Sequence, residues 1–186
     1  MRYSQTHKEE THARIVASAS ERLRESGVNG IGVADLMRAV GLTHGGFYAH
    51  FDSKEALVTE SVSTALGQTI ARLRAAAEAA PRGQGRKAIA ESYLSAAHRD
   101  HAEKGCAIAA LGADVARMGP SVKAALEARL EEMIAVAEEY GGARGEARPK
   151  AIAMLATMVG AMVMARAVKS KGLSEEILES ARQALV

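Results

Sequence analysis

Aromatic residues and prolines are scarce in this chain of 186 residues, which holds no tryptophan, two phenylalanines and three prolines. No stretch shows the sustained alternation of apolar and polar residues that is typical of a half-buried strand. Strong helix formers, mainly alanine, leucine, methionine, glutamate and arginine, dominate instead. These features argue against a β-rich protein and predict an all-α fold.

Cysteine is limited to Cys106, which excludes an intramolecular disulfide framework and suits a reducing compartment. The N-terminal residues lack the apolar core of a signal peptide. The longest apolar run, over 151–165, ends at Arg166 and is shorter than the roughly 20 residues that a membrane span needs. We therefore expect a soluble, cytoplasmic protein without a membrane partner.

The chain also lacks a large excess of positive or negative charge, since the formal net charge is +2. The first 60 residues hold seven lysines and arginines against eight aspartates and glutamates, which counts against a DNA-binding N-terminus. Four of the six histidines, His7, His12, His44 and His50, lie there, and a phosphate surface would favour their charged form. The balance of charge therefore leaves a nucleic-acid partner open.

About nine helices are predicted from apolar periodicity and from glycines and prolines at their ends. They cover 6–26, 33–40, a short third helix after Thr43, 53–80, 84–100, 105–117, 121–140, 149–169 and 173–185, with loops over 81–86 and 141–149. The short helices predict a three-helix head over 1–52, completed by the start of the fourth helix to about 66. The longer ones predict a larger helical body over 53–186.

The second and third helices, with Gly41 in the turn between them, have the arrangement of a helix-turn-helix, whose second helix lies in the major groove of DNA. Phe47 and Phe51 share the inward face of the third helix. Helical geometry then places Gly45 and Ala49 outward, with Gly46 beside them. This face has almost no side-chain bulk, so the backbone can approach bases and phosphates closely.

Polar groups surround this bare face. Thr43 and the free amides of the helix start suit a phosphate, and His44 is placed to reach base edges. The predicted DNA-binding residues are Thr43, His44, Gly45, Gly46, Tyr48, His50 and Lys54. The alternatives are a loop at the glycines, partly buried packing for Tyr48 and His50, and a solvated charge for Lys54.

The segment "VADLMRAVGLTHGGFYAHFDSKEAL" strongly resembles the N-terminal signature of TetR-type transcriptional regulators. The resemblance is specific over about 9–66, with two departures. Gly32 stands where the family often has a hydroxyl residue, and Gly46 stands where a side chain is usual. The resemblance implies a homodimer with its heads on successive major grooves and a body that binds a small molecule. Gly105-Cys106 resembles a subgroup whose sixth helix opens with these residues.

The helix over 149–169 is apolar almost all round and must be covered on all sides. A two-fold, four-helix interface with the last helix would cover it, as the resemblance implies; the alternative is the central helix of a monomer. The predicted interface residues are Met154, Met158, Gly160, Ala161, Ala165, Ile177, Ala181 and Leu185.

Methionine-rich walls adapt to apolar ligands, so the sequence predicts an apolar inducer pocket. Its candidate residues are Tyr93, Ala97, Cys106, Ile108, Met133, Met158 and Met162. The alternative is methionine as ordinary core filling. Cys106 is either a helix-start thiol beside Lys104 that senses oxidants or electrophiles, or an inert buried residue.

We therefore expect a repressor that a small-molecule inducer releases from operator DNA, or a version of it that senses oxidants through Cys106. His98, Asp100 and His101 do not complete a four-ligand metal site and indicate a solvated helix end. No Ser/His/Asp set, phosphate loop or paired carboxylates are identifiable, so neither an enzyme nor a cofactor is expected. An enzyme with Cys106 as nucleophile lacks an identifiable base partner and leaves the 41–54 pattern unexplained. The other alternative is a helical adaptor that binds protein through the head, and the salt dependence of binding distinguishes it from a DNA-binding protein.

Overall fold

The computed structural model describes residues 5–140 and 147–185. These residues form nine α-helices and two short 3-10 helices, with no strand among them. The prediction of an all-α fold is confirmed.

The helices follow one another with short connections. They are α1 (Gln5–Ser26), α2 (Val33–Ala39), α3 (Lys54–Ala79), α4 (Gly85–Tyr93), α5 (Ala96–Asp100), α6 (Ala107–Val115), α7 (Pro120–Glu139), α8 (Ala147–Ala167) and α9 (Lys171–Leu185). One 3-10 helix, His44–Ala49, lies between α2 and α3, and the other, Ala102–Lys104, lies between α5 and α6.

The structure differs from the predicted helices at two places. The single helix expected over 84–100 is divided into α4 and α5, because the Ser95 hydroxyl accepts a hydrogen bond from the His98 amide and caps a new helix. The third helix is a 3-10 helix instead of the expected α-helix. Residues 141–146 of the predicted loop over 141–149 lie outside the described residues.

The N-terminal helices enclose a small core under the 3-10 helix. Leu36 and Met37 of α2 and Phe47 of the 3-10 helix are fully buried, and the Phe47 and Phe51 rings stack with centroids 5.5 Å apart. Gly41 ends α2 with a φ of +77°, a conformation that L side chains rarely adopt. The turn therefore requires glycine at this position.

The longest helix, α3, joins the N-terminal helices to the rest of the molecule. It packs against α1 on one side and against α4 and α7 on others, with a buried stripe that includes Leu57, Val62, Leu66 and Leu73. Ser53 caps its start by accepting from the Ala56 amide, as the sequence predicts. The helix α3 thus contributes to the packing of both the N-terminal helices and the body.

Only part of α8 is covered. By length and composition α8 is apolar enough to cross a membrane, although the core helix of a soluble protein meets the same criteria. One side contacts α6, α7 and α9, with Met154, Met158 and Met162 buried. The other side leaves apolar residues exposed, including Ile152, Val163 and Met164.

Candidate nucleic-acid interface and ligand cavity

The outward face of the 3-10 helix is bare. Phe47 points into the core, whereas Gly45 and Ala49 are exposed. A Cβ atom added to Gly45 would meet no heavy atom within 4 Å, and one added to Gly46 would make only ordinary contacts at 3.8 Å with Met37 and Thr43. Another molecule can therefore approach the backbone at Gly45 closely.

Polar side chains border this bare face. Thr43 and His44 are exposed, and Tyr48 is 66% exposed, an unusual position for a large ring. The His44 and Tyr48 rings meet edge to face, with centroids 6.1 Å apart. The Thr43 hydroxyl does not cap the helix. The structure therefore brings Thr43, His44, Gly45, Gly46 and Tyr48 together on one exposed surface, which we call the reading surface.

His50 lies at the inner border of the reading surface. Its ring centroid is 6.0 Å from that of His12 in α1, and its Nδ1 atom is buried without a hydrogen-bond partner. Burial, then the charges of His12 and Lys8, lower the pKa of His50. Its ring therefore belongs partly to the packing of α1, the alternative that the sequence left open.

Lys54 has partners within the chain. Its Nζ atom donates hydrogen bonds to the carbonyl oxygens of Val28, at 2.7 Å, and Ile31, at 3.0 Å. Both carbonyls belong to the loop between α1 and α2. Lys54 thereby fixes this loop to the start of α3, and one N–H of the ammonium group remains for another acceptor.

A cavity of about 430 Å³ lies between α1, α3, α4 and α5. Most of its lining residues are polar and three of them are cationic, although apolar atoms supply the larger share of its surface. The lining residues are Glu21, Arg24, Gln68, Thr69, Arg72, Leu73, Ser92, Tyr93, Ser95, Ala97, His98, His101 and Lys104.

The two guanidinium groups in this wall have only neutral hydrogen-bond partners. Arg24 is 4% exposed and donates to the Gly105 carbonyl at 2.9 Å and to the Gln68 amide oxygen at 3.2 Å, while its Nε atom has no partner. Arg72 donates to the Thr69 hydroxyl at 3.2 Å. Burial lowers the pKa of both arginines, and the charge of Arg72 lowers the pKa of Arg24 further.

His98 is held neutral beside them. Its Nδ1 atom donates to the Tyr93 carbonyl at 2.6 Å, so its Nε2 atom accepts from the Cys106 amide at 2.9 Å. Burial lowers the pKa of His98 to about 4, and the nearby arginines lower it as well. Both ring nitrogens are thus engaged by the backbone. The nearby His101 contacts the Glu103 carboxylate at 3.2 Å instead.

The predicted pocket residues divide into two groups. Tyr93 and Ala97 line the cavity. The other five, Cys106, Ile108, Met133, Met158 and Met162, do not line it. Except for the half-buried Ile108, they are fully buried core residues. This cavity therefore has cationic side chains in its wall and no methionine, in contrast to the expected methionine-lined pocket.

The sequence prediction missed the arginines of the cavity. Arg24 lies four residues after Ser20 and eight after Val16, and all three are buried on one stripe of α1. An arginine that continues a buried helical stripe is a signal that a sequence analysis can use, because arginine is seldom buried without a partner. Arg72 lacks such a signal, since only the tertiary structure turns it towards Arg24.

The predicted interface residues are mostly internal. Met154, Met158, Ala161, Ala165, Ala181 and Leu185 are buried within the chain, and only Gly160 and Ile177 are half-exposed. The uncovered apolar surface of α8 and α9 consists of neighbouring residues. They are Ile152, Ala153, Ala156, Thr157, Gly160, Val163, Met164, Leu173 and Ile177, which we call the α8/α9 face.

Comparisons with known proteins agree with this architecture. Residues 15–60 match the TetR family of bacterial regulatory proteins. A TetR transcriptional regulator from Chloroflexus aurantiacus has a TM-score of 0.80 at 25% identity, covering 97% of this chain and 94% of that chain. NemR of E. coli in its reduced form has a TM-score of 0.78 at 21% identity, covering 95% of each chain.

A third solved structure contains a small molecule and DNA. AibR in complex with isovaleryl coenzyme A and operator DNA has a TM-score of 0.67 at 14% identity, covering 94% of this chain and 97% of that chain. No curated protein matches the chain.

Proposed function

The chain belongs to the TetR family of DNA-binding transcriptional regulators, and we propose that it is a homodimeric repressor released from operator DNA by a small molecule. The match over 15–60 covers α2, the turn at Gly41 and the 3-10 helix. Members of this family regulate transcription, and we infer that the chain catalyses no reaction and works in the cytoplasm.

The open space over Gly45 is the observation that carries the DNA-binding role. A helix that enters the major groove must bring its backbone close to base edges, and a side chain at Gly45 would hold it away. Thr43, Tyr48 and the free amides at the helix start would contact phosphates, while His44 would contact bases. His50 and Lys54 border this surface, and their remaining donors would reach phosphates at its edge.

A second copy of the chain would cover the α8/α9 face. Packing α8 and α9 against their symmetry mates would form a four-helix interface and remove Ile152, Val163 and Met164 from water. The half-exposed Gly160 supports this arrangement, because it leaves room for close approach of another helix. Two heads would then contact half-sites about 34–36 Å apart, one turn of DNA.

The structural effect of ligand binding would reach the reading surface through α6. The Cys106 amide, just before α6, contacts His98 in the cavity wall, and Asp114 near its other end contacts the α1–α2 loop. A ligand that favours one position of α6 would therefore favour one separation of the two heads. Only its difference in affinity between the two states shifts the population.

A version that senses oxidants or electrophiles through Cys106 remains a second candidate. The observation behind it is that the Cys106 thiol lies within electrostatic range of the guanidinium groups of Arg24, Arg72 and Arg166. The thiol is fully buried, so an oxidant would need a local opening. If the Cys106→Ser variant is released from DNA by oxidants as readily as the wild type, this candidate is wrong.

Selection of genomic DNA fragments by the purified protein tests the main proposal. We expect a small set of fragments, bound by a dimer, with an affinity that falls steeply with salt at a slope of about 0.9 per neutralised phosphate. Binding that is equal on all fragments, or that is insensitive to salt, would overturn the proposal. Repeating the selection with candidate metabolites identifies the inducer.

A further inference from the structure

We propose that the cavity between α1, α3, α4 and α5 binds a small organic anion whose carboxylate or phosphate group lies between Arg24 and Arg72. The inference rests on the proposed function, because it names the chemical class of the inducer. It replaces the apolar inducer that the sequence predicts.

The charge of the cavity wall is the first argument. Arg24, Arg72 and Lys104 are positive, and the single carboxylate in the wall is that of Glu21. His98 does not offset this charge, because it is neutral. Burial, and then the charges of the neighbouring arginines, lower its pKa. The half-open cavity therefore has an excess of positive charge, which the Glu21 carboxylate offsets only in part.

The hydrogen bonding of the two arginines is the second argument. Seven other arginines form ion pairs with carboxylates: Arg38, Arg74, Arg99, Arg117, Arg129, Arg148 and Arg182. Within residues 5–140 and 147–185, Arg24 and Arg72 form no ion pair with a carboxylate, and neither do Arg14, Arg22, Arg82, Arg86 and Arg166. Of these seven, only Arg24 is buried, whereas Arg72 is exposed. A buried charge without a counter-charge is costly, so Arg24 is selected for something other than the stability of the free protein.

The unused donors are the third argument. Arg24 is more than nine-tenths buried, yet its Nε–H has no acceptor. The hydroxyl of Tyr93, also in the wall, lies beside the Cys106 thiol but has no hydrogen-bond partner of good geometry. Both atoms are closed to solvent, so an oxyanion would accept from them after a shift of the wall. The planar fork of a guanidinium matches the geometry of a carboxylate or a phosphate.

The size of the cavity completes the description of the ligand. A volume of about 430 Å³ is within the usual range for small-molecule sites, about 300–1,000 Å³. Leu73, Ala97 and the Tyr93 ring supply apolar surface for the remainder of the molecule. A small organic acid or phosphate ester fits this combination better than a neutral, apolar compound.

Arg24 connects the bound anion to the head, because it lies near the end of α1. Its guanidinium group now holds α1 to the Gly105 carbonyl and to Gln68 of α3. An anion would compete for these donors and change how α1 is held against the body. Occupation of the cavity should therefore alter the affinity for DNA.

Thermal unfolding of the full chain with three probes tests the proposal. The probes are benzoate, inorganic phosphate and the neutral analogue benzamide, each titrated at constant ionic strength. We expect benzoate or phosphate to raise the unfolding temperature and benzamide not to raise it. A stronger response to benzoate identifies a carboxylate ligand, and a stronger response to phosphate identifies a phosphate ester.

Variants of two arginines on α3 locate the effect. Arg72→Gln should lower the apparent affinity for the anion at least tenfold. Arg74→Gln, which removes an exposed partner of Glu139, should leave this affinity unchanged. Arg72→Lys, which keeps the charge but loses the fork, should bind with intermediate affinity. Without a probe, Arg72→Gln should unfold at nearly the temperature of the wild type, because Arg72 is exposed and donates only to the Thr69 hydroxyl among the described residues.

Three results would overturn the proposal: no stabilisation by either anion, equal stabilisation by benzamide, or an unchanged response in Arg72→Gln. Fluorescence anisotropy with a selected DNA fragment separates this failure from a failure of the proposed function. A protein that binds DNA but ignores both anions refutes only the anion site. If the protein binds an anion at Arg72 but selects no DNA, only the proposed repressor function is refuted.

Discussion

The backbone amide of Val28 donates a hydrogen bond to the Asp114 carboxylate over 3.1 Å. Val28 lies in the loop between α1 and α2, and Asp114 lies near the end of α6. Lys54 holds the same loop from the start of α3. The position of the loop between α1 and α2 is therefore linked to both α3 and α6.

Removal of the Asp114 carboxylate should separate ligand binding from DNA release. Asp114→Ala removes the hydrogen bond from Val28 and the contact with the exposed Arg117, so we expect the unfolding free energy to fall by about 1–2 kcal/mol. Operator binding should persist, but an inducer should release the DNA less completely. The measurement is DNA affinity with and without inducer. Glu139→Ala, which removes only an exposed ion pair, is the control, and equal release by both variants would contradict the link through α6.

A large side chain at Gly45 should abolish DNA binding without unfolding the protein. Gly45→Leu places its side chain in open space, so the unfolding temperature should change little. Affinity for every fragment should fall by tenfold or more, equivalent to about 1.4 kcal/mol or more. Gly67→Leu is the control, because its new Cβ would lie 3.9 Å from the flexible Arg129 side chain, away from the reading surface. Normal DNA binding by Gly45→Leu would show that another surface reads the DNA.

Lys54→Met distinguishes two roles of the ammonium group. Loss of its hydrogen bonds to Val28 and Ile31 should lower the unfolding free energy by about 1–3 kcal/mol, since a charged donor serves two carbonyls. A phosphate contact would also reduce the salt slope of DNA binding by about 0.9. Denaturant unfolding and a salt titration measure the two effects separately. A stability equal to that of the wild type would exclude the role in the loop.

The stability of the protein should fall in mild acid because of His98. Its folded-state pKa is about 4, below the usual 6.5, so the folded protein binds fewer protons than the unfolded chain between these values. The contribution is complete above about pH 6.5, and it is lost as the pH falls to about 4, by roughly 1.4 kcal/mol per unit. Urea unfolding between pH 4 and pH 8 follows this loss.

The His98→Gln variant identifies the residue responsible. Its unfolding free energy should depend less on pH in this interval. His50, whose pKa is also lowered, supplies the comparison, because His50→Gln should remove only a separate part of the dependence. An unchanged pH profile in His98→Gln would contradict the assignment.

An arginine at Gly160 should separate the two copies of a dimer. A Cβ at this position meets nothing within 4 Å, so Gly160→Arg leaves the fold of one chain intact. Its charge would lie in the apolar α8/α9 face, where burial without a partner is unfavourable. Analytical ultracentrifugation should show monomers and a loss of operator affinity. Ala124→Arg, at an exposed position of α7, should remain dimeric, and a dimeric Gly160→Arg would exclude this interface.

Local sequence signals determined the helices and the form of the head. Gly41 requires the turn after α2, Ser53 caps α3, and the spacing of Phe47 and Phe51 fixes which side of the third helix is bare. These features depend on residues a few positions apart, so periodicity and capping rules reach them without knowledge of the tertiary structure. The role of the reading surface in DNA binding stays a prediction until its variants are measured.

The cavity and the exposed part of α8 were decided only by tertiary packing. Arg24 and Arg72 are 48 positions apart in the chain, and they line one cavity because α1 packs against α3. The methionines of α8 all looked alike in the sequence, but contacts with α7 and α9 bury Met158 and leave Met164 outside. A helix that is apolar on every side carries no local signal of which face will be covered, so only its neighbours settle that choice.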